Sequence, residues 1–227
     1  MTRERSIGPP SHRPRRRRDA AATRAAILAS ARRRFAEAGY DGAGVREIAH
    51  GAGVTAMLVN RYFGSKERLF AEVMAHIMSQ PILLTSDRLA SAQGDDGFAE
   101  ALIAITAAEG EPLDGFRIMC RSAASATAAA IGRQQIDAHY HRRLTSALRG
   151  RHAPERAALL LAIVAGVQMM RQMIGLTALK DCPPRILAEV LRPVIQELWR
   201  GDENARPTIE RIEKPQGRPA RSGKLTK

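Results

Sequence analysis

The sequence predicts an all-α fold, and three observations support this class. Hydrophobic residues make up 44% of the chain but aromatic ones only 4%, a balance of alanine, leucine and isoleucine that favours helices over sheets. Apolar residues recur every three or four positions along most of residues 19–200. Two short apolar stretches also flank a glycine-containing turn at residues 51–53. We therefore expect short helices followed by longer ones.

The size and cysteine content restrict the class of protein further. With 227 residues the chain can bury a substantial core as one domain or two small ones. Cys120 and Cys182 form no close-spaced framework, so a reduced protein of the cytoplasm is the simplest interpretation. No apolar run approaches the roughly 20 residues of a membrane span. No nucleophile–base pattern, phosphate-binding glycine loop or metal-ligand spacing indicates an enzyme, a metal site or a cofactor.

The positive charge is concentrated at the two ends of the chain. The net charge is +13, and residues 1–18 carry seven arginines against one glutamate. Residues 206–227 carry seven basic residues against two glutamates, whereas residues 81–205 are balanced. We predict a disordered basic arm at residues 1–18 and a disordered basic tail at residues 204–227. Both suit a DNA backbone, although solubility alone would also explain them.

The first folded segment, residues 19–80, reads as four helices. The first is predicted over residues 19–38 and ends at Gly39, a favourable residue after a helix C-terminus. Helices at residues 45–50 and 55–63 flank the tight turn, and Thr55 is a suitable N-cap for the second. Together, residues 44–63 have the form of a helix-turn-helix, in which the second helix is free to enter a DNA groove. A longer fourth helix is predicted over residues 65–78.

The remaining folded part, residues 81–203, is predicted to be a second helical domain. Helices are expected at residues 98–108, from Pro112 onward, at 123–148, at 154–177 and at 184–199. The last two are the longest apolar helices, and their apolar faces look too wide to be covered by one neighbouring helix.

Three motifs in the first domain resemble the tetracycline-repressor (TetR) family of transcriptional regulators. They are T-R-x-x-I-L-x-x-A-x-x-x-F-x-E-x-G-Y at residues 23–40, V-x-x-I-A-x-x-A-G-V-T at 45–55 and Y-F-G-S-K-E-x-L-F at 62–70. The resemblance implies a homodimer joined through its last two helices. It also implies a head of three helices, linked by a longer fourth helix to a regulatory body. Such proteins usually repress transcription, and a small molecule bound in the body releases them from a palindromic operator.

The recognition helix departs from the family pattern. Met57 stands where the family often has glycine, Asn60 where it usually has a phosphate-binding tyrosine, and Gly44 where a threonine or serine commonly contacts phosphate. Helical spacing directs Ala56, Met57, Asn60 and Arg61 outward and places Leu58 at the edge of that face. On it, Asn60 suits adenine or phosphate and Arg61 suits guanine or phosphate. The predicted DNA-binding residues are Gly44, Val45, Arg46, Thr55, Ala56, Met57, Leu58, Asn60, Arg61, Tyr62 and Lys66.

Two further predictions rest on weaker patterns. Flexible or aromatic side chains in the body are candidates for an effector pocket, although helical spacing of methionines more often means core packing; they are Phe116, Met119, Met169, Met170 and Met173. The tail carries Gly217-Arg218-Pro219, which resembles the minor-groove core of an AT-hook but is also compatible with a simple disordered tail. The sequence thus predicts a ligand-released repressor. The alternative is a constitutive or nucleoid-type DNA binder without an effector.

Overall fold

The computed structural model describes residues 13–79, 97–107 and 114–201, and no strand occurs among them. The first four helices are α1 Arg13–Gly42, α2 Val45–Gly51, α3 Ala56–Phe63 and α4 Lys66–Met78. The next four are α5 Phe98–Ala107, α6 Asp114–Ser122, α7 Ala126–Ile136 and α8 Arg142–Ala147. The last three are α9 Ala153–Gln168, α10 Thr177–Lys180 and α11 Pro184–Arg200. The all-α prediction is confirmed.

Helices α1 and α9 differ in part from their predicted bounds. Helix α1 begins at Arg13, within the basic arm predicted over residues 1–18. Its regular part ends at Gly39, as expected, because Gly39 adopts φ 68°, a left-handed conformation that favours glycine. The helix predicted over residues 154–177 is divided into two. Helix α9 passes into a π-helical turn at Met169–Met173, and the helix ends at Gly175, which has a left-handed backbone with φ 70°. Residues 1–12, the tail from 202 and its AT-hook-like motif lie outside the described residues.

The first hydrophobic core joins the four N-terminal helices to α6 and α7, and we call it the head-side core. Phe35 is fully buried, and its ring meets that of Phe70 edge-on with centroids 5.0 Å apart. Full burial of each such side chain stabilises the fold by roughly 1.5–3 kcal/mol. The same core includes Ile118 of α6 and Ala128 of α7. The first core therefore extends beyond the domain boundary predicted at residue 80.

The second hydrophobic core joins α5, α8, α9 and α11, and we call it the body core. Leu102, Leu144, Leu160 and Ile195 are buried in it, one from each of these helices. Tyr140, which lies in the π-helical turn Asp137–His141 between α7 and α8, packs against both cores. The two cores therefore meet near this turn.

Two buried arginines hold the helices of the body together through backbone carbonyls. Arg156 of α9 donates to the carbonyls of Leu198 and Trp199 near the end of α11, at 2.9 and 3.1 Å. Arg171 donates to the Ile103 carbonyl at 2.5 Å and to the Thr106 hydroxyl at 2.9 Å, near the end of α5. The last carbonyls of a helix have no partner within the helix and carry partial negative charge, so a cation is favourable there.

Candidate nucleic-acid interface

The turn between α2 and α3 depends on two glycines with different roles. Gly53 has φ 67°, which allows its N–H to bond the His50 carbonyl at 3.0 Å and the chain to reverse. The buried Ser30 hydroxyl of α1 donates to the Ile48 carbonyl at 2.8 Å, and a Cβ at Gly51 would collide with that hydroxyl. Gly51 therefore permits α1 to lie close against the end of α2.

Helix α3 is capped as the sequence predicted and is anchored by two apolar side chains. The Thr55 hydroxyl accepts the Leu58 N–H at 3.3 Å and so satisfies one unpaired donor at the helix start. Val59 and Phe63 are 1% and 4% exposed and join the head-side core. The position of α3 is thereby set by its inner face, which leaves the outer face available.

The outer face of α3 carries Met57, Asn60 and Arg61, spaced three and four residues apart. Met57 is 81% exposed, and Asn60 and Arg61 are also exposed. We call these three residues the recognition face. An apolar thioether beside an amide and a guanidinium can contact a thymine methyl, an adenine edge and a guanine edge, respectively.

Two side chains predicted for the interface lie further inward than the outer face. Ala56 was expected to point outward but is half-buried and packs against the head-side core. Leu58 is also half-buried, in agreement with its predicted place at the edge of the exposed face. The exposed side chains on this side of α3 are thus mainly those of the recognition face.

The start of α2 is organised by the carboxylate of Glu47, which is not among the predicted DNA-binding residues. Glu47 accepts the Gly44 N–H at 3.2 Å and an Arg34 N–H at 2.6 Å, while Arg34 also bonds Glu37 at 2.8 Å. The bond from Arg34 and then the Gly44 N–H hold the pKa of Glu47 below its usual value of 4.5. The signal was present, because a glutamate three residues after an N-cap is half of a capping box.

The other predicted residues of α2 divide between core and surface. Val45 is half-buried and packs against the head-side core. Arg46 is exposed and, with Arg34 and His50, lines an open groove beside Gly51. The exposed guanidinium of Arg46 is therefore available to a phosphate, whereas that of Arg34 already bonds two carboxylates.

Lys66 at the start of α4 is attached to the end of α1. Its ammonium lies 4.6 Å from the centre of the Tyr40 ring and donates to the Asp41 carbonyl at 3.4 Å. The Tyr40 hydroxyl donates to Glu67 at 3.0 Å, and burial together with this bond raises the pKa of Tyr40 to about 12. Ser65 caps α4 by accepting the Arg68 N–H at 3.2 Å. Lys66 is thus held near the start of α4, where its own positive charge and the helix dipole both favour the binding of an anion.

Tyr62, the remaining interface candidate on α3, is half-buried and packs against the head-side core. Its ring is tilted by 41° to that of Phe63, with centroids 6.4 Å apart. Tyr62 follows Arg61 directly, so it lies next to the recognition face in the sequence.

The five candidate effector residues fall in different surroundings. Met119 packs against the head-side core, where its side chain covers Gly132 so closely that a Cβ there would collide with it. Phe116 is half-buried on α6, and Met169 is half-buried in the second π-helical turn. Met170 and Met173 are 43% and 41% exposed. Met170 and Met173 are therefore partly uncovered in the single chain, unlike Met119.

No metal-binding cluster accompanies these sites in the part of the chain that the structure describes. There, no group of three or more histidine, cysteine, aspartate or glutamate side chains is placed to hold an ion. Both cysteines are unpaired thiols, and burial raises the pKa of Cys120.

Comparison with solved structures supports the same overall architecture. A transcriptional regulator from Rhodococcus sp. Rha1 is 29% identical, with 77% of this chain and 94% of that chain covered and a TM-score of 0.54. A TetR-family regulator from Streptomyces coelicolor A3 is 24% identical, with 83% and 98% covered and a TM-score of 0.50. No curated protein matches the sequence significantly.

Family comparisons match both parts of the chain. Residues 27–73, which contain the capped turn and the recognition face, match the family described as "Bacterial regulatory proteins, tetR family". Residues 96–198 match "Tetracyclin repressor-like, C-terminal domain". The two matches together cover more than half of the chain, and both agree with the helix-turn-helix head and helical body described above. The protein belongs to the TetR family of transcriptional regulators.

Proposed function

We propose that this protein is a cytoplasmic, non-enzymatic repressor that binds a palindromic operator as a homodimer and is released by a small molecule. The observation that carries the proposal is the recognition face, in which Met57 is 81% exposed on a helix with a capped start and a buried inner face. Covering a methionine side chain that is exposed in the free protein removes apolar surface from water and so contributes favourable free energy. The groove of a duplex would cover it in this way.

The contacts with DNA divide into base readout and positioning. Asn60 and Arg61 supply hydrogen-bond donors for base edges, and Met57 supplies apolar contact. Arg46 and Lys66 supply positive charge on either side of α3, at the starts of α2 and α4. Phosphate contacts from such flanking residues fix the register of a head on the duplex, while base contacts provide the specificity.

The homodimer is supported by an apolar strip formed by α9, by the π-helical turn and short link that follow it, and by α11. Its members are large side chains that remain 41–71% exposed in the single chain: Leu159, Met170, Met173, Ile174, Leu176, Ile186, Val190 and Val194. Although no apolar run of membrane-spanning length was expected, the helical stretch Ala153–Met173 is long and apolar enough for one by length and composition. Only 17% of its most apolar 18-residue segment is buried in the single chain. A second copy would cover the strip by two-fold symmetry and orient two heads toward two half-sites.

An effector site in the body is supported by the family match across residues 96–198. We propose that it involves the interior side of α6, where Phe116 and Met119 are half-buried. A small molecule that binds the folded protein would raise its melting temperature in proportion to concentration and affinity. Screening compounds by thermal shift, followed by a DNA-release assay, tests this part separately.

The function as a whole is tested by selecting bound DNA from a random pool and then measuring affinity across a salt series. We expect a palindromic consensus, with affinity for it at least about a thousandfold above random DNA at moderate salt. Equal affinity for both DNAs would contradict the repressor and favour the alternative, a constitutive binder that relies on its basic ends.

A further inference from the structure

Helix α6 is bonded to α1 of the head at both of its ends. At its start, the Asp114 carboxylate pairs with the Arg32 guanidinium at 3.2 Å. At its end, Arg121 donates from one nitrogen to the carbonyls of Ala36 and Glu37, each at 2.6 Å. These carbonyls belong to the last regular turn of α1, where backbone acceptors lack partners within the helix. Arg121 therefore caps α1 although it lies about 85 positions later in the chain.

The backbones of α1 and α6 also touch directly at this place. The buried Tyr40 N–H donates to the Ser122 hydroxyl at 2.9 Å. A Cβ at Gly39 would lie 2.5 Å from the Arg121 carbonyl oxygen, so a larger residue cannot be inserted without moving the helices apart. We call Gly39, Tyr40, Arg121 and Ser122 the α1–α6 junction. The junction is held by direct hydrogen bonds, and at Gly39 no side chain separates the two backbones. This leaves little freedom for one helix to rotate on the other.

Helix α6 is held against α4 in the same close manner. A Cβ at Gly115 would lie 2.7 Å from the Ile77 side chain, and Ile118 is fully buried in the head-side core. Ala128 of α7 is buried in that core as well. The head, α6 and α7 consequently share one core, whereas the apolar strip belongs to helices of the body core.

We infer that Arg121 is a positioning residue for DNA binding. It holds the head, α6 and α7 together as one unit. The angle between this unit and the dimerising helices α9 and α11 sets the distance between the two recognition faces of the dimer. The inference rests on the proposed dimeric function. It assigns to the α1–α6 junction a role in choosing the spacing of operator half-sites, without any contact between Arg121 and DNA.

The test compares full-length variants in selection from random DNA, with half-site spacing as the readout. Wild-type protein is expected to select one spacing. Arg121→Ala is expected to accept a broader range of spacings and to bind the wild-type consensus about tenfold more weakly, with the sequence preference within each half-site unchanged. Arg121→Lys, which keeps a donor for the carbonyls, is expected to recover part of the spacing preference.

Arg117→Ala is the matched control, since Arg117 lies one turn earlier on α6, is 44% exposed and pairs only loosely with Asp114 at 3.9 Å. It is expected to select the wild-type spacing. If Arg121→Ala does not fold, as judged by circular dichroism, Ser122→Ala and Arg121→Lys carry the test. A folded set of junction variants with wild-type spacing and affinity overturns the inference. Wild-type protein that selects no paired half-sites would instead contradict the proposed function.

Discussion

The guanidinium of Arg34 bonds the carboxylate of Glu47 at 2.6 Å and thereby connects α1 to the start of α2. The same carboxylate accepts the Gly44 N–H, so one side chain both caps α2 and attaches it to its neighbour. Gly44 lacks the hydroxyl with which the family often contacts phosphate at this point. The orientation of the α2 start therefore depends on Glu47, which leads to the first prediction.

Replacing Glu47 should weaken DNA binding more than it weakens folding. Glu47→Ala removes both bonds and is expected to lower operator affinity and, to a lesser extent, the melting temperature. Glu47→Gln retains a carbonyl oxygen that can accept the Gly44 N–H. Its operator affinity and melting temperature should therefore lie between those of wild type and Glu47→Ala. Titration of a fluorescent operator and a thermal melt measure the two effects. Identical affinities for all three proteins would remove Glu47 from any role in DNA binding.

Arg61 should contribute to base recognition. Arg61→Ala is expected to weaken operator binding by about 1–3 kcal/mol and to relax specificity at one base position, because a guanidinium can bond both acceptors of a guanine. Competition with single-base variants of the operator measures both effects. Arg33→Ala, an exposed arginine on α1, serves as a comparison for loss of charge alone. A uniform loss across all bases would reassign Arg61 to the phosphate backbone.

A charge on the apolar strip should separate the dimer. Val190 is 71% exposed in the single chain, so Val190→Glu should leave the monomer folded. Burying the introduced glutamate carboxylate between two copies would cost roughly 3–5 kcal/mol of dimerisation free energy. Sedimentation should then show monomers. The affinity for DNA with two half-sites should fall to the affinity for DNA with a single half-site. Glu189→Gln is the control, because the preceding residue points about 100° away on the helix. A dimeric Val190→Glu protein would place the interface elsewhere.

The buried Arg156 should be important for stability of the body. Besides Leu198 and Trp199, it donates to the Arg151 carbonyl at 2.9 Å and to that of Arg149. Arg156→Ala leaves these acceptors without their charged donor, and the expected loss of unfolding free energy is about 2–3 kcal/mol. Denaturant unfolding measures it, with the exposed Arg185→Ala as comparison. Equal stability of the two variants would contradict a structural role for the bonds.

Tyr40 should make the head sensitive to alkaline pH. Its pKa is raised from 10.0 to about 12, so the folded state favours the neutral phenol. That stabilisation is complete below the unfolded pKa of 10.0 and is lost as the pH rises toward 12. Tyr40→Phe should cost roughly 1 kcal/mol at neutral pH, where only the bond to Glu67 is lost. Its stability should then fall less steeply than that of wild type above pH 10. Parallel curves would exclude Tyr40 as the titrating group.

Much of the head could be predicted because its signals are local. Thr55 caps α3 through a bond to Leu58, three residues away, and Gly39 ends the regular part of α1 through its own backbone conformation. Inward and outward positions on α3 follow from helical spacing, and only Ala56 was misplaced. The Glu47 cap was missed although its spacing is visible in the sequence, because Gly44 lacks the hydroxyl that forms the other half of a capping box.

The body was less predictable, since its details depend on contacts between distant residues. The division of the helix over residues 154–177 reflects a π-helical turn that the apolar spacing did not reveal. Of the methionines proposed for an effector site, Met119 packs against the head-side core, whereas Met170 and Met173 lie on the apolar strip. A flexible apolar side chain suits core, pocket and interface equally well, so residue type alone does not distinguish them.

The sequence by itself determined the helical class, the position of the helix-turn-helix, the family and the exposed chemistry of the recognition face. These follow from spacing, caps and glycine conformations within a few residues. Only the tertiary structure decided that Arg121 caps α1, that Arg156 caps α11 and that the head shares its core with α6 and α7. The physical reason is that a helix end accepts a bond from any suitable donor in reach, and which donor is in reach is set by how the helices pack.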